Sequence, residues 1–211
     1  MKSPHTIVLC TWLTLIACHA CVTSVAQTND DFNVMFYNVE NLFDTHHDSL
    51  KNDLEYLPQS KRFWTETRYR KKLTSIARVI VGITDFNTPS IVGLAEVEND
   101  SCLHDLITYP LRQTGYRYIH HESPDRRGID CALLYRPDRF VPLHDTALAV
   151  TMPDDTTFRT RDILYVCGLA DKADTLHVYV CHLPSRRGGK GASEHRRIRA
   201  VDIMRKHIDS I

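Results

Sequence analysis

The sequence predicts a layered α+β domain, and three observations carry that expectation. Short β-branched and aromatic runs alternate with helical periodicity in the first half. Strand-like runs fill the second half, the last two joined as a hairpin, and one more helical pattern follows them. Strand, helix, strand, helix is the order of a layered α/β unit, whereas the hairpin makes the sheet at least partly antiparallel.

The first strand is Phe32 to Asn38, rich in aromatic and β-branched residues. Val39 to Ser60 is polar and irregular, a long surface loop of a kind uncommon without a purpose. Thr65 can cap the next helix, with Arg68 at its third position rather than the Glu of a capping box. Tyr69, Leu73, Ile76, Ala77 and Ile80 then recur at spacings of three and four until Gly82. After Pro89-Ser90, the apolar run Ile91 to Ala95 has the length and flanks of a buried strand. A second helix starts near Asn99, carries Cys102, Leu103, Leu106 and Ile107, and ends by Pro110.

Further strands are expected at Tyr116 to His120, at Cys131 to Tyr135, in a weaker pair around Phe140 and Leu148, and at Ile163 to Leu169. The break Asp171 to Asp174 turns this last run into Thr175 to Cys181. A final helix from about Glu194 to Ile208 offers Ile198, Val201, Ile203 and Ile208 for burial. Arg196, Arg197, Arg199, Arg205 and Lys206 are its solvent candidates. No repeat or linker divides residues 31–211, so one domain is expected there.

The chain has 211 residues, with 26 basic and 26 acidic side chains. Its mixed composition excludes a disordered or collagen-like chain, and the charge balance removes any global electrostatic argument for nucleic acid. Residues 1–26 have the pattern of an export leader: Lys2 precedes an apolar core, Ile7 to Ala17, too short to cross a bilayer. Ser24-Val25-Ala26 before Gln27 fits signal peptidase, whereas Leu15-Ile16-Ala17-Cys18 resembles a lipobox whose Cys18 would be lipidated and hold the protein to a membrane. Either processing predicts an exported body: periplasmic, outer-membrane lipoprotein or secreted. Of seven cysteines, Cys102, Cys131, Cys167 and Cys181 lie beyond the leader. Lacking a C-x-x-C pair, they suit small buried hydrophobes, with one disulfide as the alternative in an oxidising compartment.

Asn38, Glu96 and His182 each terminate a predicted strand. If those strands are neighbours, an amide, a carboxylate and an imidazole meet at one rim. Glu96 is the best metal candidate, because Mg²⁺ takes oxygen ligands and one or two carboxylates; Glu40, one alternate position beyond Asn38, can contribute through water. Mn²⁺ is the alternative ion. His182 can hydrogen-bond a phosphate or a leaving oxygen. The loop after it holds Ser185, Arg186 and Arg187 among glycines, a phosphate-binding surface of guanidinium and backbone N–H groups. Asp130 joins the catalytic set as an organiser, pairing with an arginine of either basic segment.

Four blocks carry a resemblance: Phe36 to Asp44 (FYNVENLFD), Val92 to Asn99 (VGLAEVEN), Ser123 to Asp130 (SPDRRGID) and His182 to Gly189 (HLPSRRGG). In this order they resemble the endonuclease/exonuclease/phosphatase superfamily, which includes deoxyribonuclease I, and most closely its predicted exported bacterial members. The resemblance covers Asp31 to about Ile208. It implies a deoxyribonuclease I-like four-layer fold, two β-sheets packed as a sandwich with helices outside. It also implies that Asn38 is the first-strand active-site Asn, Glu96 the metal-binding Glu and His182 the catalytic histidine. Glu40 stands where some members have an Asp behind the ligands, and Cys181 departs from the Asn that often precedes this histidine.

Family members usually continue into a G-D-F/L-N-like segment and an Asp-His pair, and neither follows within this sequence. The chain is therefore expected to be the N-terminal portion of such a domain, with little or no activity alone. The function implied is metal-dependent, endonuclease-like hydrolysis of phosphodiester bonds in nucleic acid or another phosphodiester, with no obligate protein partner. A sugar-phosphate or lipid phosphodiesterase and a noncatalytic envelope protein retaining the fold are the alternatives.

Overall fold

The first strand, β1 (Val34–Leu42), runs parallel to β2 (Ile91–Val97), and the 17-residue helix α1 (Glu66–Gly82) lies between them in sequence. The computed structural model describes residues 31–83, 88–186 and 188–211. The leader, with both cleavage sites and Cys18, falls outside them. After β2 come α2 (Asp100–Thr108), β3 (Arg117–His120), β4 (Asp130–Tyr135), β5 (Phe140–Leu148), β6 (Ile163–Ala170), β7 (Asp174–Val180) and α3 (Lys190–Ile208). One sheet has the order β1-β2-β4-β3, and a second, antiparallel throughout, has the order β5-β6-β7.

Alternation along the strands builds the layers. In β2, Val92 and Leu94 join a core with Leu73, Ile76 and Ile80 of α1 and Leu103 and Leu106 of α2. Ile91, with Cys131 and Leu133 of β4, belongs instead to a core with Phe140, Leu164, Val166 and Val180 of the second sheet. Period-two alternation thus gives the first sheet one helix-facing and one sheet-facing side. α3 covers the outer side of the second sheet, where Ala200 packs with Val150 and Ile163. The result is the expected order of helix, sheet, sheet, helix. At Gly93 an added Cβ would lie 3.3 Å from both methyls of Val180, so a bare backbone lets β7 come close to β2.

The α1 stripe is the one the periodicity predicts: Tyr69, Leu73, Ile76, Ala77 and Ile80 are all buried. Thr65 is the N-cap residue, without a side-chain cap bond; its carbonyl receives the Tyr69 N–H. All four cysteines beyond the leader are free, Cys102 and Cys131 buried and the other two half-buried, in line with the first of the two expectations. Three expectations need correction. β1 continues through Leu42, four residues into the expected loop, because Leu42 and Phe43 are apolar anchors at 0% and 1% exposure. The weaker pair around Phe140 and Leu148 is one strand; Pro142, which has no N–H, is tolerated because β5 is an edge with a bulge between Pro142 and His144.

The third correction concerns α3. Ile198, Val201 and Ile208 are 62%, 43% and 47% exposed, and of the expected positions only Ile203 packs inward. The inward stripe is Ala200, buried, with Ile203, Met204 and His207 half-buried, a helical spacing of three and four that the arginines reinforce. Arg199 donates to the Thr151 carbonyl at 2.9 Å, Arg196 lies over the Phe158 ring, and His207 meets the Tyr179 hydroxyl at 2.7 Å. The helix is oriented by these polar anchors, which hydropathy cannot reveal.

Gly168→Ala is expected to lower stability by about 1–3 kcal/mol, since its Cβ would stand 2.7 Å from the Val141 carbonyl on the paired strand. Ile198→Ala should change stability by less than about 0.5 kcal/mol. Urea denaturation midpoints of the two variants check both values, and similar large losses would contradict the exposed setting of Ile198.

Candidate functional site

Glu96 sits where β2 departs from regular pairing. The registers of β1 with β2 and of β2 with β4 both shift across it, and its φ is +67°. A left-handed conformation costs a non-glycine residue on the order of 1 kcal/mol and re-aims its side chain. The parity of the strand changes here: Val92 and Leu94 face the helices, yet so does Val97. Glu40 and Asn41, opposite the bulge, are also left-handed at +56° and +64°. Three strained residues on two paired strands mark a place where geometry is held against local preference.

The released carboxylate meets Asn38, which lies within β1 just before its irregular stretch, and His182. Asn38 donates through Nδ2 to Glu96 Oε1 at 3.2 Å, and its own Oδ1 accepts the Glu40 N–H at 2.8 Å. His182 comes from the opposite sheet, just beyond β7, and its Nε2 lies 3.4 Å from the same Glu96 oxygen. Burial, with the Arg161 charge nearby, holds His182 below the ordinary imidazole range, so the ring is neutral at neutral pH. Its Nδ1 is buried without a hydrogen-bond partner among the described residues. Glu96 Oε2 has no hydrogen bond among the described residues either. A carboxylate with one oxygen steadied by an amide and the other uncommitted suits a hard divalent cation that keeps most of its waters.

The backbone at His182 is fixed by a group that the sequence does not announce. Arg161, 7% exposed, donates from Nε to the His182 carbonyl at 3.0 Å and from Nη2 to the Leu183 carbonyl at 3.3 Å. Its Nη1 is 3.1 Å from Asp125 Oδ2, an ion pair with both side chains 7% exposed. The only local signal is a charged residue at the mouth of the apolar run from Ile163. Asp125 lies in the SPDRRGID block, where the expectation favoured Asp130.

Among the described residues Asp130 itself pairs with no arginine. By alternation it shares the helix-facing side of β4 with Ala132 and Leu134, while its neighbour Cys131 faces the second sheet. It accepts the Ser123 hydroxyl and faces His120. Ser185 and Arg186 are exposed after His182, and neither hydrogen-bonds to Asn38, Glu96 or His182; Arg187 lies outside the described residues. Glu98 is turned away, accepting the Asp44 N–H at 2.7 Å, and burial pushes its carboxyl up to about 8.

A cleft of about 750 Å³ opens beside Glu96, and Glu40 is on its wall. Four basic residues line it, Lys61, Arg62, Arg68 and Lys72, with the aromatic rings of Tyr56, Phe63 and Trp64. Tyr56 stacks on Phe43 with centroids 4.0 Å apart, and the Trp64 indole N–H donates to the Phe43 carbonyl at 2.9 Å. Phe63 is 62% exposed. The expected basic surface lay after His182; this one comes from the loop before α1 and its first turns, and no single motif gathers it.

Residues 33–211 match the family model described as the Endonuclease/Exonuclease/phosphatase family. No curated protein matches the sequence. Among solved structures, the endonuclease/exonuclease/phosphatase of Bacteroides vulgatus is 16% identical, with a TM-score of 0.57 over 85% of this chain and 60% of that one. The mannosyl-6-phosphatase of Bacteroides thetaiotaomicron is 18% identical, with a TM-score of 0.54 over 85% and 60%. ANGEL2, described as a 2′,3′-cyclic phosphatase, is 18% identical, with a TM-score of 0.53 over 79% and 45%. This chain thus spans less than two thirds of the length of each, and at these identities the likeness is one of fold.

Arg161→Ala is expected to destabilise the fold by about 3–5 kcal/mol, because it strands the buried Asp125 carboxylate. Adding Asp125→Asn should return part of that loss. A double-mutant cycle from denaturant unfolding measures the coupling, and purely additive losses would deny the pair its role in holding His182.

Proposed function

We propose that this chain, which belongs to the endonuclease/exonuclease/phosphatase family, serves hydrolysis of phosphodiester bonds with a divalent cation, Mg²⁺ or Mn²⁺, held at Glu96. The observation that carries this is the convergence on one Glu96 oxygen of Asn38 at 3.2 Å, from within β1, and His182 at 3.4 Å, from just beyond β7 of the other sheet. Glu96 would be the protein's carboxylate ligand, with Glu40 reaching the ion through water. When bound, the cation supplies Lewis-acid polarisation of the phosphoryl group. Asn38 orients the carboxylate. The neutral His182 ring carries one N–H and can donate it to a phosphate oxygen without a buried charge to desolvate.

The cleft beside Glu96 supports a nucleic-acid-like substrate. Lys61, Arg62, Arg68 and Lys72 can attract phosphates, and the exposed Phe63 ring offers a face to a base. A sugar phosphate would use the same cations but not the aromatic face. Ser185 and Arg186, exposed on the loop beyond His182, form a second phosphate surface in this proposal.

Plasmid DNA, RNA, a nitrophenyl phosphodiester and a sugar phosphate, each with Mg²⁺ or Mn²⁺, make the decisive panel. Hydrolysis should vanish with a chelator, and His182→Ala should lower kcat/KM by about 10²- to 10⁴-fold, with Glu96→Gln at least as damaging. Phe63→Ala should raise KM for nucleic acid by the equivalent of about 1–3 kcal/mol, leaving kcat unchanged. Failure of a folded, full-length protein to cleave any of the four substrates would sink the proposal.

A further inference from the structure

A second set of donor atoms lies on the helix-facing side of the first sheet. His120 ends β3 opposite Ala132, and Asp130 opens β4 two residues earlier, so both side chains emerge on the face of Ala132 and Leu134. Each is 1% exposed. His120 Nε2 and Asp130 Oδ2 are 3.7 Å apart, and both are buried without a hydrogen-bond partner among the described residues. That gap is too long for a hydrogen bond. One donor atom from each of His120, Asp130 and Glu122 lies within 4.8 Å of the others.

We propose that His120 Nε2, Asp130 Oδ2 and the Glu122 carboxylate bind a divalent transition-metal ion of the Zn²⁺ type. Two donors sharing a tetrahedral ion at about 2.0–2.1 Å stand roughly 3.4 Å apart, close to the observed gap. The remaining atoms of both buried residues are already committed in the manner a metal ligand requires. His120 Nδ1 is 3.0 Å from Asp100 Oδ1 at the start of α2, and a proton held there leaves the Nε2 lone pair for the ion. Asp130 Oδ1 accepts the Ser123 hydroxyl, leaving Oδ2 for the ion. Without an ion, these two buried atoms face each other at 3.7 Å with no hydrogen bond to either.

Charge and access fit as well. Two carboxylates balance the dication. Glu122, 57% exposed, gives the ion a path from solvent and leaves a fourth position for water. Lys51 Nζ stands 3.8 Å from Glu122 Oε2 but donates to the Ser123 carbonyl at 2.8 Å, so it keeps a partner when Glu122 turns to the metal. The imidazole favours Zn²⁺ over Mg²⁺, separating this site in ion preference from the oxygen-donor site at Glu96.

Co²⁺ and Zn²⁺ titrations of the whole chain test this without any activity measurement. One Co²⁺ per chain should give a ligand-field absorption that one equivalent of Zn²⁺ abolishes. Affinity should fall at least 100-fold in His120→Gln and Asp130→Asn and about 10- to 100-fold in Asp100→Asn, and remain unchanged in Glu96→Gln. If the buried substitutions prevent folding, the ¹⁵N resonance of His120 Nε2 in the unaltered protein must shift on adding Zn²⁺. No stoichiometric binding, an unmoved Nε2 resonance, or binding that survives His120→Gln and disappears in Glu96→Gln would overturn the proposal.

Discussion

The apolar contact between the two sheets is the constraint on which the candidate site depends. Ile91, Cys131 and Leu133 on one side meet Phe140, Leu164, Val166 and Val180 on the other. Glu96 and Asn38 belong to the first sheet, whereas His182 follows the last strand of the second. No local turn or loop joins these groups; their 3.4 Å approach is a product of side-chain packing several residues away. Close packing makes that spacing a discrete property of the core.

Local devices then refine what the sandwich brings together. The left-handed backbone at Glu96 takes its carboxylate out of the regular alternation, and Glu40 and Asn41 supply the matching irregularity on β1. Arg161 performs the corresponding task for the other sheet by gripping two successive carbonyls at His182 and Leu183. A buried guanidinium is tolerable here because Asp125 neutralises it. One side of the site is therefore positioned by backbone strain and the other by charge.

Much of this is legible in the sequence, and the limits have physical causes. The α1 stripe and the Ile91 strand are visible because burial follows simple periods of 3.6 and 2. Asn38, Glu96 and His182 stand out because polar residues that end apolar runs sit on the rim. The left-handed turns are invisible, since Glu40, Asn41 and Glu96 are not glycines. Arg161 is hidden for another reason: its partners, Asp125, His182 and Leu183, are scattered along the chain. The α3 face departs from its hydropathy pattern because the hydrogen bonds of Arg199 and His207 orient that helix, while Ile198 and Ile208 are left in water. The cationic and aromatic cleft is assembled from the loop before α1 and that helix's first turns, and neither piece has a pattern of its own.

Gly93 gives this architecture a mechanical character. It lies three residues before Glu96, and the Val180 methyls that press against it lie two residues before His182. The missing side chain acts as a spacer of zero thickness between the halves of the site. Widening that seam by the width of one methyl group would leave both sheets hydrogen-bonded and folded while drawing the imidazole off the carboxylate. The candidate site is thus more fragile than the scaffold: substitutions, compression or heating that alter sheet separation would part His182 from Glu96 well before they register as melting.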